Sequence, residues 1–418
     1  MKNTFLLSII LVIYFGLSCV KVDDYVPPVL PPEPNPSMLN VVWQSFLDES
    51  KKPCTTTPPI LYNNTLIIGA VKQGELERQQ FKAFSVVDGT LQWAWIDWND
   101  PVASLVDWQR MAVSPPYLYA AFRTELHKMD MQSGQSVWTY FRPAGAGGDC
   151  QLSNFGDYLF TIHDTDGYDN TYVALVKCQP EQFPVWDTIF SVSKGADNFS
   201  PNLYPPSMGI SPAGDTLLVF QNRSGNFSTG AGRIELYCFN LSADSLFWKT
   251  IPGERNSNAH IPLVEGNLVY LQAATKIFCF DLMNGQIRWV QDFGGEEGFL
   301  TTNLLIVNDK LIAGTNGDNL YAVDKITGQI RWLNKNSGSS RNFMVEYQGK
   351  IYFTAMGGGG KLYCVNAESG ITIFSEVSPN VVKDSRATFN NSEIAIDKQN
   401  GLLYTDDTFF ALCIRLPQ

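Results

Sequence analysis

A stretch of thirteen residues returns at near-constant distance along this chain, and that periodicity constrains the fold more than any other feature. Three copies align without gaps: Ile277-Phe-Cys-Phe-Asp-Leu-Met-Asn-Gly-Gln-Ile-Arg-Trp289, Leu320-Tyr-Ala-Val-Asp-Lys-Ile-Thr-Gly-Gln-Ile-Arg-Trp332 and Leu362-Tyr-Cys-Val-Asn-Ala-Glu-Ser-Gly-Ile-Thr-Ile-Phe374. Leu126 to Trp138 and Phe81 to Trp93 follow the same pattern. In all five a glycine stands four residues before the aromatic (Gly89, Gly134, Gly285, Gly328, Gly370). An Asp, Asn or Ser stands eight before it (Ser85, Asp130, Asp281, Asp324, Asn366).

The pattern describes two strands and a turn. An apolar strand ends at the Asp-type residue, whose side chain bonds backbone N–H groups two or three residues on. The glycine accepts positive φ in the turn, and the next strand carries the aromatic. Ahead of each pair lies a second hairpin, such as 263–271 or 345–353, so each copy makes a four-stranded antiparallel sheet. Such a sheet buries both faces only by stacking on neighbours, and the large aromatic supplies packing area between them.

Trp93, Trp138, Trp186, Trp248, Trp289, Trp332 and Phe374 mark seven copies, 41 to 62 residues apart; those of Trp186 and Trp248 lack the glycine. An eighth copy starts at Ala387 and stops at Leu416 after its third strand, while Asn40-Val-Val-Trp43-Gln-Ser-Phe is a Trp strand with no partner before it. The economical solution is a ring, closed when the early strand completes the last sheet and removes a free edge. The expectation is all-β: one ring of eight four-stranded blades over residues 39–418. A seven-bladed ring and an open β-solenoid are the alternatives.

The Asp-x-x-x-Gly-x-x-x-Trp repeats resemble the pyrroloquinoline-quinone-type β-propeller, usually eight-bladed, over residues 39–417. Quinone-dependent dehydrogenases of that fold carry an adjacent cysteine pair, calcium ligands and a catalytic carboxylate. No Cys-Cys occurs here, so the resemblance extends to the fold and no bound quinone is expected.

The first residues read as an address. Lys2 precedes an apolar run from Phe5 to Leu17, the length of a signal-peptide core and short for a bilayer span. Gly16-Leu17-Ser18-Cys19 resembles the lipobox of bacterial lipoproteins, with Gly16 where that family usually has Leu. The resemblance implies cleavage after residue 18, lipidation of Cys19 and stable anchoring by several acyl chains. Residues 19–38, with Val26-Pro-Pro-Val-Leu-Pro-Pro-Glu-Pro-Asn-Pro36, read as a semi-rigid tether.

Composition removes several function classes. With 30 Lys+Arg against 41 Asp+Glu the net charge is −11, which disfavours nucleic acid as a partner. Three histidines and no Cys-x-x-C leave no multi-histidine centre, zinc knuckle or thiol-redox motif. Cys238, Cys279 and Cys364 share one repeat position, where another copy has Ala322, and read as buried free thiols. Cys54 and Cys413 flank the ring closure, where a bridge is an option. Gly357-Gly-Gly-Gly360 reads as a turn between strands and not as a phosphate loop.

Two sets of site residues stand out. Asp164, Asp166 and Asp169 alternate around a glycine in a hairpin loop, a pattern that can wrap calcium, although a solvated acidic turn explains it more simply. Arg110, Arg341 and Arg386 each precede an innermost strand and would ring the axial mouth, fit for a carboxylate, phosphate or acidic peptide; ion pairing with Asp107, Asp149 and Asp384 is the competing explanation. No catalytic cluster is legible. The favoured function is a non-catalytic, lipid-anchored, monomeric scaffold of the bacterial envelope that binds a protein partner through loops and the axial mouth. It resembles the propeller lipoprotein of the outer-membrane β-barrel assembly machinery and would sit at the outer membrane, on its periplasmic or cell-surface side. A surface binder of carbohydrate or peptide is the alternative, and a propeller enzyme comes third.

Overall fold

The structure is a computed structural model; it describes residues 38–72, 80–96, 111–121, 125–141, 152–164, 171–225, 231–254, 261–294, 302–339, 343–390 and 392–417. Cys19, Arg110, Arg341, Asp166 and Asp169 lie outside these residues.

The described strands form eight separate antiparallel sheets in sequence order, each an up-and-down meander running from the ring's centre outward. We number these blades 1 to 8. Blade 8 holds three strands from the chain's end (Ala395–Asp397, Leu402–Asp406, Phe410–Arg415) and takes its fourth, Asn40–Phe46, from the chain's start. The closing register sets Trp43 opposite Cys413 and Phe46 opposite Phe410. Eight apolar clusters, one for each successive pair of blades, fill the spaces between sheets, and the cluster of Trp43, Leu47, Leu66, Ile68, Phe84 and Ala411 seals blade 8 on blade 1. The eight-bladed ring closed by the N-terminal strand therefore stands, and the seven-bladed and open alternatives fall.

Blade 1 departs from four strands. Its innermost strand is split into Cys54–Thr56 and Ile60–Tyr62, both paired with Thr65–Lys72. Pro58 and Pro59 interrupt it because proline has no N–H to give the ladder. Thr57 fills the gap, its hydroxyl accepting the Gly69 N–H at 2.9 Å.

The repeated turn shows why its residues are what they are. Asp130 Oδ1 accepts the Gln132 and Ser133 N–H groups at 3.1 and 2.8 Å, and Asp324 Oδ1 accepts those of Ile326 and Thr327 at 2.9 and 2.7 Å. The glycine does more than turn the chain. Gly328 has φ +73°, and a Cβ there would meet Trp289 of the preceding blade at 2.6 Å; Gly89, Gly134, Gly285 and Gly370 face Trp43, Trp93, Trp248 and Trp332 in the same way. Each indole lies on the next blade's glycine and donates Nε1–H to the carbonyl after the Asp-type residue: Trp43 to Val86 (2.9 Å), Trp93 to Met131 (3.2 Å), Trp248 to Leu282 (2.7 Å), Trp289 to Lys325 (3.2 Å), Trp332 to Ala367 (3.1 Å). The small residue opposite the aromatic on the neighbouring strand is Ala83, Cys238, Cys279, Ala322, Cys364 or Cys413. The cysteine position is thus a space requirement of the aromatic, and all these thiols are buried and free. No disulfide joins Cys54 to Cys413, so the closure is not a covalent bridge.

One assignment changes. In blade 3 the residue in register with the other aromatics is Phe190, paired with Leu175 beside the same strand irregularity, and Trp186 precedes that strand in a long turn. A tryptophan four residues from a phenylalanine made the wrong residue look like the marker.

Candidate functional site

The innermost strands leave an opening on the ring axis. Between blades 1, 2, 7 and 8 it holds a pocket of about 280 Å³ walled by apolar side chains, among them Ile60, Met111, Val113 and Ile394, with the carboxyl of Glu393 in its lining. Glu393 accepts the Phe343 N–H at 2.9 Å, and its backbone carbonyl accepts the Thr405 hydroxyl at 2.8 Å. It keeps some accessible surface because it opens on the pocket, yet protein surrounds it, and this burial pushes its carboxyl up to about 8.

Two more carboxyls lie at the inner end of blade 8. Asp406 is buried and receives the Thr56 hydroxyl of blade 1 at 2.7 Å, the Ser392 hydroxyl at 3.1 Å and the Thr408 N–H at 3.1 Å. Burial raises it to about 7 against those bonds. Asp407, also buried, receives Ser378 at 2.6 Å, Asn380 at 2.8 Å and the Phe409 and Phe410 N–H groups at 3.2 and 2.9 Å. Asp406 therefore ties the end of the chain to blade 1 at the closure. Sequence reading passed over these residues because adjacent carboxylates after a strand ordinarily mark a solvated turn.

Of the three arginines expected at the mouth, Arg386 is described. Its guanidinium bonds Asp384 through Nε at 3.0 Å and Nη2 at 2.6 Å, with its Cζ 5.3 Å from the Phe409 ring centre. Arg386 holds Asp384 down at about 2. Arg110 and Arg341 lie outside the described residues. Asp164 ends the strand Tyr158–Asp164; no group of three or more metal-ligating side chains is assembled among the described residues. Gly357–Gly360 links two strands of blade 7, and Gly358, Gly359 and Gly360 have φ of +74°, +89° and +67°, a turn and not a helix start.

A groove of about 600 Å³ runs between blades 2 and 3, lined by Tyr117, Lys128, Asp157, Gln179, Glu181 and Gln182 among others. Lys128 takes the small-residue position opposite Trp138, lies 4.2 Å from the Tyr117 ring centre and donates to the Pro180 carbonyl at 2.9 Å.

Eight blades, five of their joints made by an indole on a glycine turn, form a β-propeller whose repeats resemble the pyrroloquinoline-quinone (PQQ) type. The chain is an eight-bladed propeller distantly similar to an outer-membrane assembly factor: the family described as PQQ_2, outer membrane protein assembly factor BamB, matches residues 206–408. Among solved structures, the quinohemoprotein alcohol dehydrogenase of Comamonas testosteroni is 10% identical with a TM-score of 0.64, covering 91% of this chain and 78% of that one. Saccharomyces cerevisiae Sqt1 is 10% identical with a TM-score of 0.62, covering 91% and 100%. BamB from Moraxella catarrhalis is 12% identical with a TM-score of 0.49, covering 74% and 82%. At these identities the first two likenesses speak for the fold. No curated protein matches the chain. Among the described residues no helix is long and apolar enough to cross a membrane.

Proposed function

We propose that this chain is a non-catalytic binding scaffold of the bacterial cell envelope, anchored at the outer membrane by lipid on Cys19 and holding a protein partner on the loops of a monomeric propeller. The observation that carries this reading is the match of residues 206–408 to the assembly-factor family. Residues 1–18 would be removed as a signal peptide, and 19–38 would tether the ring. In sequence the tether would join the ring at Asn40–Phe46, the outermost strand of blade 8. Sharing a fold with quinone dehydrogenases gives no reason to add chemistry, since function resides in the site.

The test has two parts. Labelling cells with a clickable fatty acid should mark the wild type and not Cys19→Ala. Crosslinking intact envelopes and purifying the chain should recover one dominant envelope protein. Unlabelled wild type or recovery of the chain alone would overturn the reading.

The groove between blades 2 and 3 favours a second reading, a binder of carbohydrate or peptide, because an aromatic ring, amides and carboxylates converge there. Saturable binding of a glycan that is lost in Tyr117→Ala would move the assignment to it.

A further inference from the structure

We propose that the axial pocket binds an alkylammonium group, a primary amine on a straight apolar stem, with Glu393 as its counter-ion. This goes beyond the scaffold reading and stands whether or not an envelope partner is found. The pocket's about 280 Å³ suits one unbranched chain or a lysine side chain, being at the small end for organic ligands.

Its wall is chemically one-sided. Blades 1 and 2 contribute Pro58, Ile60, Met111 and Val113, so the described side chains facing Glu393 from that direction carry no charge. Blade 7 contributes the Phe343 ring and the N–H that binds one oxygen of the carboxyl. From blade 8 itself, Asp406 lies behind with Ser392 and Thr405, adding negative charge and no cation.

A carboxylate has about four acceptor positions, and one neutral N–H leaves most of that capacity to be met from the pocket. The group is also held in place. Ser392, its neighbour, is fully buried, accepts the Thr354 hydroxyl at its carbonyl and donates to Asp406 at 3.1 Å, while Thr405 bonds the Glu393 carbonyl at 2.8 Å. A fixed carboxyl in an apolar wall is costly to ionise alone and is stabilised by a cation that brings its own apolar stem. Neutral pH finds this carboxyl mostly protonated, so an arriving ammonium displaces its proton.

This sign is opposite to that expected from arginines at the mouth, and the experiment separates the two. Hexylamine is titrated calorimetrically into the full chain in detergent at pH 7, in two buffers of different ionisation enthalpy. One saturable site is expected, with close to one proton released per amine, about tenfold weaker affinity at pH 6, and no binding of hexanoate or hexanol. Glu393→Gln keeps an acceptor for the Phe343 N–H and should lower affinity at least about tenfold and end the proton release. Ile60→Trp, which fills the pocket and keeps Glu393, should also abolish binding, and a thermal melt matching wild type shows that the ring is intact. A peptide with one lysine that binds more tightly than hexylamine assigns the ammonium to a partner protein; the reverse order assigns it to a free amine. No hexylamine binding, equal binding by Glu393→Gln, or stronger binding of hexanoate would overturn the proposal.

Discussion

Five of the eight joints between blades repeat one design, and three use others. At joints 8–1, 1–2, 4–5, 5–6 and 6–7 an indole lies on a positive-φ glycine and donates to a turn carbonyl. At joint 2–3 the turn 179–186 has no glycine. Tyr119 and Lys128 donate to the Pro180 carbonyl there, at 3.3 and 2.9 Å, and Trp138 is 40% exposed, edge-on to Phe183. At joint 3–4 Phe190 packs on Phe220 and Tyr237, with ring centres 5.2 and 4.9 Å apart. At joint 7–8 Phe374 faces the place where blade 8 changes from one end of the chain to the other, beside a largely apolar groove of about 440 Å³. The ring tolerates three substitutes because each still buries aromatic area between sheets; the turn carbonyl, where it persists, finds another donor.

The sharpest way to break the comparison is to add one methyl at an intact joint. Gly328 and Gly349 have nearly equal φ, +73° and +70°, but a Cβ at Gly328 meets Trp289 whereas one at Gly349 meets nothing within 4 Å. Gly349→Ala should cost about 1 kcal/mol, the strain of a left-handed alanine, and Gly328→Ala about 3 kcal/mol or more because the indole must also move. Urea denaturation of the two variants against wild type reads the difference. Equal losses would mean that the glycine serves the turn alone.

The closure joint, 8–1, adds a tie through a buried carboxyl, and pH addresses it. Asp406 titrates near 4 when unfolded and at about 7 when folded, and Glu393 at about 8. Between those values the folded chain holds more protons than the unfolded one, so stability is highest near pH 5 and falls as pH rises toward 9. A loss on the order of 6 kcal/mol is expected across that interval, with a visibly shallower slope in Asp406→Asn. Asp324 and Asp384, held at about 2 by arginines, act with the opposite sign: their support persists above pH 4 and goes only as pH drops toward 2. Stability that is flat between pH 5 and 9 would show that Asp406 is not sequestered at the seam.

The repeat made the ring legible because turn, glycine and aromatic sit at fixed spacing within one hairpin, a local property. The partner of each indole was not legible, since it lies a whole blade later, and neither was the reason for alternating Cys and Ala, which faces an aromatic across the sheet. Arg288 and Arg331, in the duplicated Gly-Gln-Ile-Arg-Trp, bond Asp281 and Asp324 of their own turns, a pairing that the duplication signalled and the reading missed. Glu393 had no local signature: its burial is made by blades 1, 2, 7 and 8 together, remote in sequence and adjacent only after closure. Repeat grammar specifies joints, whereas the axis is written once and without repetition.

The smallest expected effects test whether an indole matters for its ring or for its N–H. Trp289→Phe keeps the ring on Gly328 and removes one of the two donors to the Lys325 carbonyl, leaving the Tyr270 hydroxyl at 3.1 Å; a loss of about 1 kcal/mol is expected. Trp138→Phe should change stability by less than about 0.5 kcal/mol, because the carbonyl at that joint is already served by Tyr119 and Lys128. Trp186 carries the comparison to its limit. Its Nε1–H is buried without a hydrogen-bond partner, while its ring stands edge-on to Phe183 and His163, each 5.9 Å away between centres. Phenylalanine there would keep part of that packing and remove a donor whose desolvation is uncompensated, two contributions of opposite sign and of about 1 kcal/mol each. Trp186→Phe should therefore be neutral or slightly stabilising in the same denaturation series in which Trp289→Phe destabilises. If both substitutions cost alike, ring area alone explains the tryptophans, and the carbonyl bond repeated at five joints contributes nothing to holding the blades together.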